Sequence, residues 1–208
     1  MTKTDYEDNV FINCPFDSQY KPVFDALIFA IHDAGFVARS ALEVSDATEN
    51  RYEKILKVIS ECRYGVHDIS RTELDEETSL PRFNMPLELG LFLGCKKFGD
   101  EIQRTKSCLI MDRQRYRYQS FISDLAGQDI YSHDNDPEKA IGLVRDWLRT
   151  ESKRTGIPGS EAMNARYHHF RLELPDLCAE LEIRVEELTF VDYFDVVVGW
   201  LKKASDRS

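Results

Sequence analysis

The sequence has 208 residues, 42% of them hydrophobic and 31% charged, with a formal net charge of −10. A chain of this length buries roughly 70% of its extended surface on folding, so its core needs no disulfide or metal. The acidic balance argues against a general phosphate-backbone binder, because such proteins gain affinity by releasing counterions through Lys and Arg.

The first eight residues, Met1 to Asp8, lack an apolar stretch and a small-residue cleavage site, so no secretory leader is expected. Asn9-Val10-Phe11-Ile12-Asn13-Cys14 is a β-prone run stopped by Pro15. Pro22 suits the first turn of a helix over Val23 to His32, and Gly35 suits its end. Phe36-Val37-Ala38 restarts as a strand. Asn50 to Cys62 places Tyr52, Ile55, Leu56 and Ile59 at helical spacing, and Tyr64 to Ile69 is a third strand. An acid-rich stretch from Ser70 to Ser79 precedes a helix that Pro86 opens and Gly94 or Gly99 closes. Ser107 to Met111 and Asp129 to Tyr131 are further strands, followed by a helix over Glu138 to Arg149.

This alternation predicts an α/β fold: a flavodoxin- or Rossmann-like parallel sheet of about five strands with helices on both faces, over residues 1–150. A hinge rich in Gly and Pro, Glu151 to Ser160, leads to helices over Glu161 to Leu181 and Val185 to Lys203. Residues 151–208 are therefore expected to form a C-terminal helical appendage. Its apolar positions Phe190, Tyr193, Phe194, Val197 and Trp200 either cover the α/β core or serve homo-oligomerisation. The longest apolar runs, Ala26 to Ile31 and Leu89 to Leu93, fall far short of the ~20 residues of a membrane span. Five cysteines form no CxxC pair, which points to reduced thiols, a cytoplasmic setting and no zinc site.

In an open parallel sheet, ligands bind outside the carboxyl ends of the strands. That rule selects Asn13, Cys14, Pro15, Phe16 and Asp17 after the first strand, and Arg39, Ser40 and Glu43 after the second. It selects Asp68, Ser70 and Arg71 after the third, and Asn84 and Glu88 at the next helix start. Loop and cap residues have the same composition, so each also has a purely structural reading. Glu88 differs from the rest because it is a carboxylate in an otherwise apolar helical turn, Asn84 to Gly94. Desolvation raises its pKa while the helix N-terminus favours the anion, a tension suited to a nucleophile or charge stabiliser. The structural alternative is an ion pair with Arg82. Gly90 and Gly94 make sense if this helix approaches a backbone or ligand closely.

These residues carry a resemblance. Phe11-Ile12-Asn13-Cys14-Pro15-Phe16, Asp68 at a strand end and Glu88-Leu89-Gly90 at a helix start resemble the nucleoside 2-deoxyribosyltransferase family. That fold is close to bacterial TIR domains, many of which cleave NAD. The wider pattern from Val10 to Gly99 resembles a bacterial group of similar sequences. The resemblance implies that Glu88 attacks the anomeric carbon, Asp68 manages the proton of the base, and Cys14-Pro15-Phe16 wraps the nucleoside. It implies no cofactor. Two positions depart from the family: Asn84 stands where an aspartate is usual, and Asn13-Cys14 replaces a small Gly-containing loop.

The expected function is an N-glycosidase or deoxyribosyltransferase acting on a nucleoside, nucleotide or NAD-like substrate. Substrate contacts are expected from Asn13, Cys14, Pro15, Phe16, Asp17, Arg39, Glu43, Ser70, Arg82 and Asn84, with Arg39, Arg71 or Arg82 holding a phosphate. The alternative is a nucleotide-binding sensor that does not cleave its ligand. A third possibility is a structural dimer with no small ligand. His67 should face away from Asp68, because side chains alternate along a strand. The run Arg113-Gln114-Arg115-Tyr116-Arg117-Tyr118 has the composition of a small nucleic-acid patch, but its default reading on so acidic a chain is a surface loop.

Overall fold

The computed structural model describes residues 5–43, 48–74 and 79–206. The expected leader-free start at 1–4 and the acidic positions 75–78 lie outside the described residues. Five strands, β1 (Asn9–Asn13), β2 (Val37–Arg39), β3 (Tyr64–Asp68), β4 (Ser107–Asp112) and β5 (Ile130–Ser132), form one sheet in the order β2-β1-β3-β4-β5. Every pairing is parallel, and the register sets Asn13 of β1 beside His67 of β3. β1 and β3 are buried at every position, as strands covered on both faces must be. The fold is a flavodoxin- or Rossmann-like α/β sheet. Its strand order reverses between β1 and β3, the place where such sheets open a crevice.

The helices are α1 (Lys21–Asp33), α2 (Arg51–Ser60), α3 (Asn84–Phe98), α4 (Pro137–Ser152), α5 (Ser160–Glu180) and α6 (Phe190–Ser205). Local chemistry sets their ends. Pro22 lies in the first turn of α1, and Gly35 takes φ +80° just beyond it. Asn50 caps α2 by accepting from the Tyr52 amide, and Asp136 caps α4 by accepting from the amides of Glu138 and Lys139. Thr189 and Asp192 form a reciprocal capping box on α6.

One face of the sheet, with Val10, Ile12, Val66, Leu109 and Met111, shares a core with α1, α4, α5 and α6. Phe29 of α1 lies 5.4 Å from Phe170 of α5, which lies 5.6 Å from Trp200 of α6, centroid to centroid. Arg166 pairs with Asp33, and Lys21 and Arg171 both pair with Asp25, tying α5 to α1. The helices after residue 150 are thus built into the same core as the α/β unit. The expected hinge comprises the end of α4, a connection over 153–159 in which Lys153 takes φ +60°, and the start of α5. No helix among the described residues is long and apolar enough to cross a membrane.

The other face carries α2 and α3 over Phe11, Ile59 and Phe92, and over Met85, Leu89 and Ile110. Gly65 permits this layer: a Cβ there would stand 2.7 Å from His67 Nε2 and 2.9 Å from the Phe92 ring. α3 starts two residues before Pro86, which fits its first turn because the N–H it lacks has no partner there. The helix then runs through Gly94 to Phe98. The expectation that Gly90 and Gly94 meet a close neighbour fails within the chain, since a Cβ at either would meet nothing within 4 Å.

Candidate active site

A hollow of about 350 Å³ opens at the carboxyl end of β1, beside the switch in strand order. It is lined by Asn13, Cys14, Pro15, Phe16, Asp17, Arg51, Arg82, Asn84, Met85 and Glu88. Eight of the residues expected from sequence therefore meet in one place. Asn13 anchors it: its side-chain amide donates to Met85 O (2.8 Å) and lies 3.0 Å from His67 Nδ1. These bonds hold the first turn of α3 against the end of β1. Phe16 is half-exposed at the mouth, its ring edge-on to Phe24 at 5.3 Å. Asp17 accepts from the Tyr20 amide and pairs with Arg71, which fixes the loop and commits that guanidinium.

Glu88 is 8% exposed. Among the described residues its carboxylate takes no hydrogen bond and no ion pair, and the expected pairing with Arg82 is not among the ion pairs formed. Burial pushes its pKa up to about 7, opposed by the charge of Arg51. Buried carboxylates are ordinarily paired, and an unpaired one in a cleft marks a functional site more often than chance. Arg51 was not anticipated from sequence. The signal was present, because a helix following a parallel strand also begins at the carboxyl edge, and Arg51 is the first residue of α2.

Asp68 lies elsewhere. It is fully buried on the opposite face of the sheet and does not line the hollow. Its Oδ1 accepts from the Ser70 amide (2.8 Å), and its Oδ2 stands 2.7 Å from His133 Nε2. Ser70 Oγ lies 3.1 Å from the same nitrogen. His133 Nδ1 accepts from the Asn135 amide, so Nε2 carries the proton and turns it toward the Ser70 hydroxyl, with the carboxylate close beside it. The Tyr20 ring closes this cluster edge-on at 6.1 Å. Asp68 and Ser70 thus form an internal lock between β3 and the end of β5, and the expected sharing of one cleft by Asp68 and Glu88 does not occur. The cause is strand alternation: Asp68 shares a face with Cys14, while α3 packs on the other.

Arg39 and Glu43 also stay outside the hollow. Arg39 binds the Glu43 carboxylate through Nε and Nη2 and reaches Glu61 at 2.9 Å, which neutralises both within the chain. His67 faces the α2–α3 layer, as alternation requires, and burial together with Lys106 pushes its pKa down to about 3. Burial, reinforced by the Asp68 and Glu88 carboxylates, pushes the Cys14 thiol well up, so it is no thiolate nucleophile near neutrality. In the basic-aromatic run, Arg113 pairs with Glu73, Arg117 pairs with Asp112 and Glu73, and Tyr118 is buried. His168 and His169 lie exposed on α5, beside Glu138 and Glu173. No metal-ligand cluster occurs among the described residues.

A larger groove of about 900 Å³ runs between the end of α1, α5 and α6 at the other edge of the sheet. Two of its charged groups are matched: Arg166 with Asp33, and Glu173 with both His169 and the Trp200 indole. The smaller hollow is the better candidate because it alone pairs a strand-order reversal with an unmatched buried acid. Comparison of the chain with family models, with curated proteins and with solved structures finds no match.

Proposed function

We propose that the protein is an N-glycosidase in which Glu88 attacks the anomeric carbon of a ribosyl group held in the hollow. The observation that carries this reading is the desolvated, unpaired Glu88 carboxylate at the strand-order switch, with Arg51 and Arg82 on the same lining. The likeness of the β1 end and the α3 start to nucleoside 2-deoxyribosyltransferases supports it.

The lining narrows the substrate. Among the described residues its carboxylates are Asp17 and Glu88, and Asp17 is held by Arg71. Asn84 cannot protonate a departing base, and Asp68 lies behind the sheet. A neutral purine or pyrimidine needs such a proton; a pyridinium base does not. An NAD-like nucleotide therefore suits the site best. The Glu88 carboxylate bonds to C1′ as the C1′–N bond breaks, and the electron pair of that bond returns to the ring nitrogen, which leaves neutral. Water then displaces the carboxylate from C1′ and releases one proton to solvent. Positive charge builds on the ribose in both steps, and the carboxylate stabilises it. Arg51 and Arg82 are placed to hold phosphate oxygens of the remainder of the nucleotide.

Incubation with NAD and chromatography for free nicotinamide tests this directly. Wild type should release base, and Glu88→Gln should lose about a thousandfold or more. The anion is the reactive form, so the rate should rise with pH to a plateau above about 7. Equal silence of wild type and variant contradicts the reading. A second reading, a sensor that binds its nucleotide intact, is favoured by the lack of a second free acid among the described residues of the lining. Thermal stabilisation by NAD that is recovered uncleaved would establish it instead.

A further inference from the structure

α3 is apolar on two sides. Met85, Glu88, Leu89 and Phe92 face inward, while Phe83, Leu87, Gly90, Gly94 and Phe98 recur at three- and four-residue steps along the opposite face. Phe83 is 61% exposed, Leu87 55% and Phe98 84%. The Leu87 amide donates to Phe83 O, so the helical face extends back to Phe83. From Phe83 to Cys95 the one charged side chain is Glu88, and it is turned inward.

We propose that this face is where two copies of the chain meet, with their α3 helices antiparallel across a twofold axis passing between Gly90 and Leu91. Three features of the face favour a second copy over another partner. The first is register. Reflection about that point sets Phe83 against Phe98 of the other copy and Leu87 against Gly94. Leu87 then meets a glycine whose Cβ position is open space, so a knob fills a notch and the backbones approach closely. Such reciprocity is what an isologous interface requires, because each residue and its counterpart exchange roles across the axis. The second is area. Phe83, Leu87 and Phe98 together expose about 400 Å² of apolar surface, given ~200 Å² for a whole aromatic side chain. That is close to the apolar share of a standard interface, which buries about 800 Å² per partner. The third is charge. On a chain of net charge −10, the exposed charges from Phe83 to Phe98 are Lys96 and Lys97, so among the described residues of this face two copies approach without acid facing acid.

The pairing also explains two glycines that otherwise weaken the helix with no return inside the chain. It places the partner against the outer side of the turn that carries Glu88, bracing that turn without entering the hollow. The inference does not depend on the proposed chemistry.

Light scattering and sedimentation at micromolar concentration test it. Wild type should have twice the mass of one chain. Leu87→Asp should weaken association about a hundredfold by placing two acids in the interface. Gly94→Leu is the sharper variant. It raises helix propensity and adds apolar surface, yet it fills the notch that Leu87 enters, so it should weaken association about tenfold or more. Both positions lie on the outward face of α3, and circular dichroism should show both variants folded. A wild type that stays single, or that binds lipid vesicles as a single chain, overturns the proposal. So does a Gly94→Leu variant that associates as tightly as wild type.

Discussion

Two acids stand at the carboxyl edge of the same sheet, Asp68 at the end of β3 and Glu88 near the start of α3, and the fold treats them oppositely. Around Asp68 the circuit is nearly closed: the Ser70 amide donates to Oδ1, the His133 imidazole stands 2.7 Å from Oδ2, which takes no hydrogen bond of good geometry, and the carboxylate is sealed from solvent. Around Glu88 the circuit is left open, with a hollow in front and a guanidinium charge acting from Arg51. The first arrangement stabilises the fold, because a buried charge is tolerable when paired. The second costs stability, and such a cost is retained where a group has work to do. Position at a strand end nominates a residue; the matching of its charge decides between structure and chemistry.

The largest effect should follow from opening the circuit around Asp68. His133→Ala leaves Asp68 buried without its imidazole and should destabilise the protein by about 3–5 kcal/mol in denaturant unfolding. A loss below about 1 kcal/mol would show that the lock is not structural.

Removing the open charge should do the reverse. Folding raises the Glu88 pKa from 4.5 to about 7, so the folded state holds this proton more tightly than the unfolded chain. The associated stability is complete below about pH 4.5 and is lost as pH rises through about 7. Glu88→Gln has no such loss. It should therefore be more stable than wild type by about 2–3 kcal/mol at pH 8, with the difference closing by pH 4. A variant less stable than wild type at pH 8 would mean that Glu88 has a partner.

Arg51→Ala should move the midpoint of the pH–rate profile upward, because it removes the charge that favours the Glu88 anion. An unmoved midpoint would place Arg51 outside the electrostatics of the site. The smallest effect concerns the outer face of the same helix. At concentrations where chains are single, Gly90→Ala should stabilise by about 0.5–1 kcal/mol, since the added methyl meets nothing. Destabilisation there would mean that the face is already covered within one chain.

Much of the fold was legible because the alternation of strand and helix patterns is local. So was the singularity of Glu88, a lone charge within an apolar turn. The fate of Asp68 was not, because its partner His133 is 65 positions away and only strand alternation decides which face it takes. Alternation sets His67 and Asp68 on opposite faces, and the packing of α3 against His67 is what parts Asp68 from Glu88. Arg39 and Glu43 illustrate a second blind spot. They are four residues apart across a strand end and a short 3-10 turn, where sequence gives no hint of a bidentate pair. The glycines of α3 suggested a close neighbour, but a Cβ at either meets nothing within 4 Å inside the chain.

The central claim is that Glu88 lies desolvated and unmatched in the hollow. Titration of its side-chain carbonyl carbon by NMR, assigned through Glu88→Gln, reads that directly. The account predicts a midpoint near 7 that rises further in Arg51→Ala. A midpoint at the ordinary glutamate value of 4.5 would contradict it.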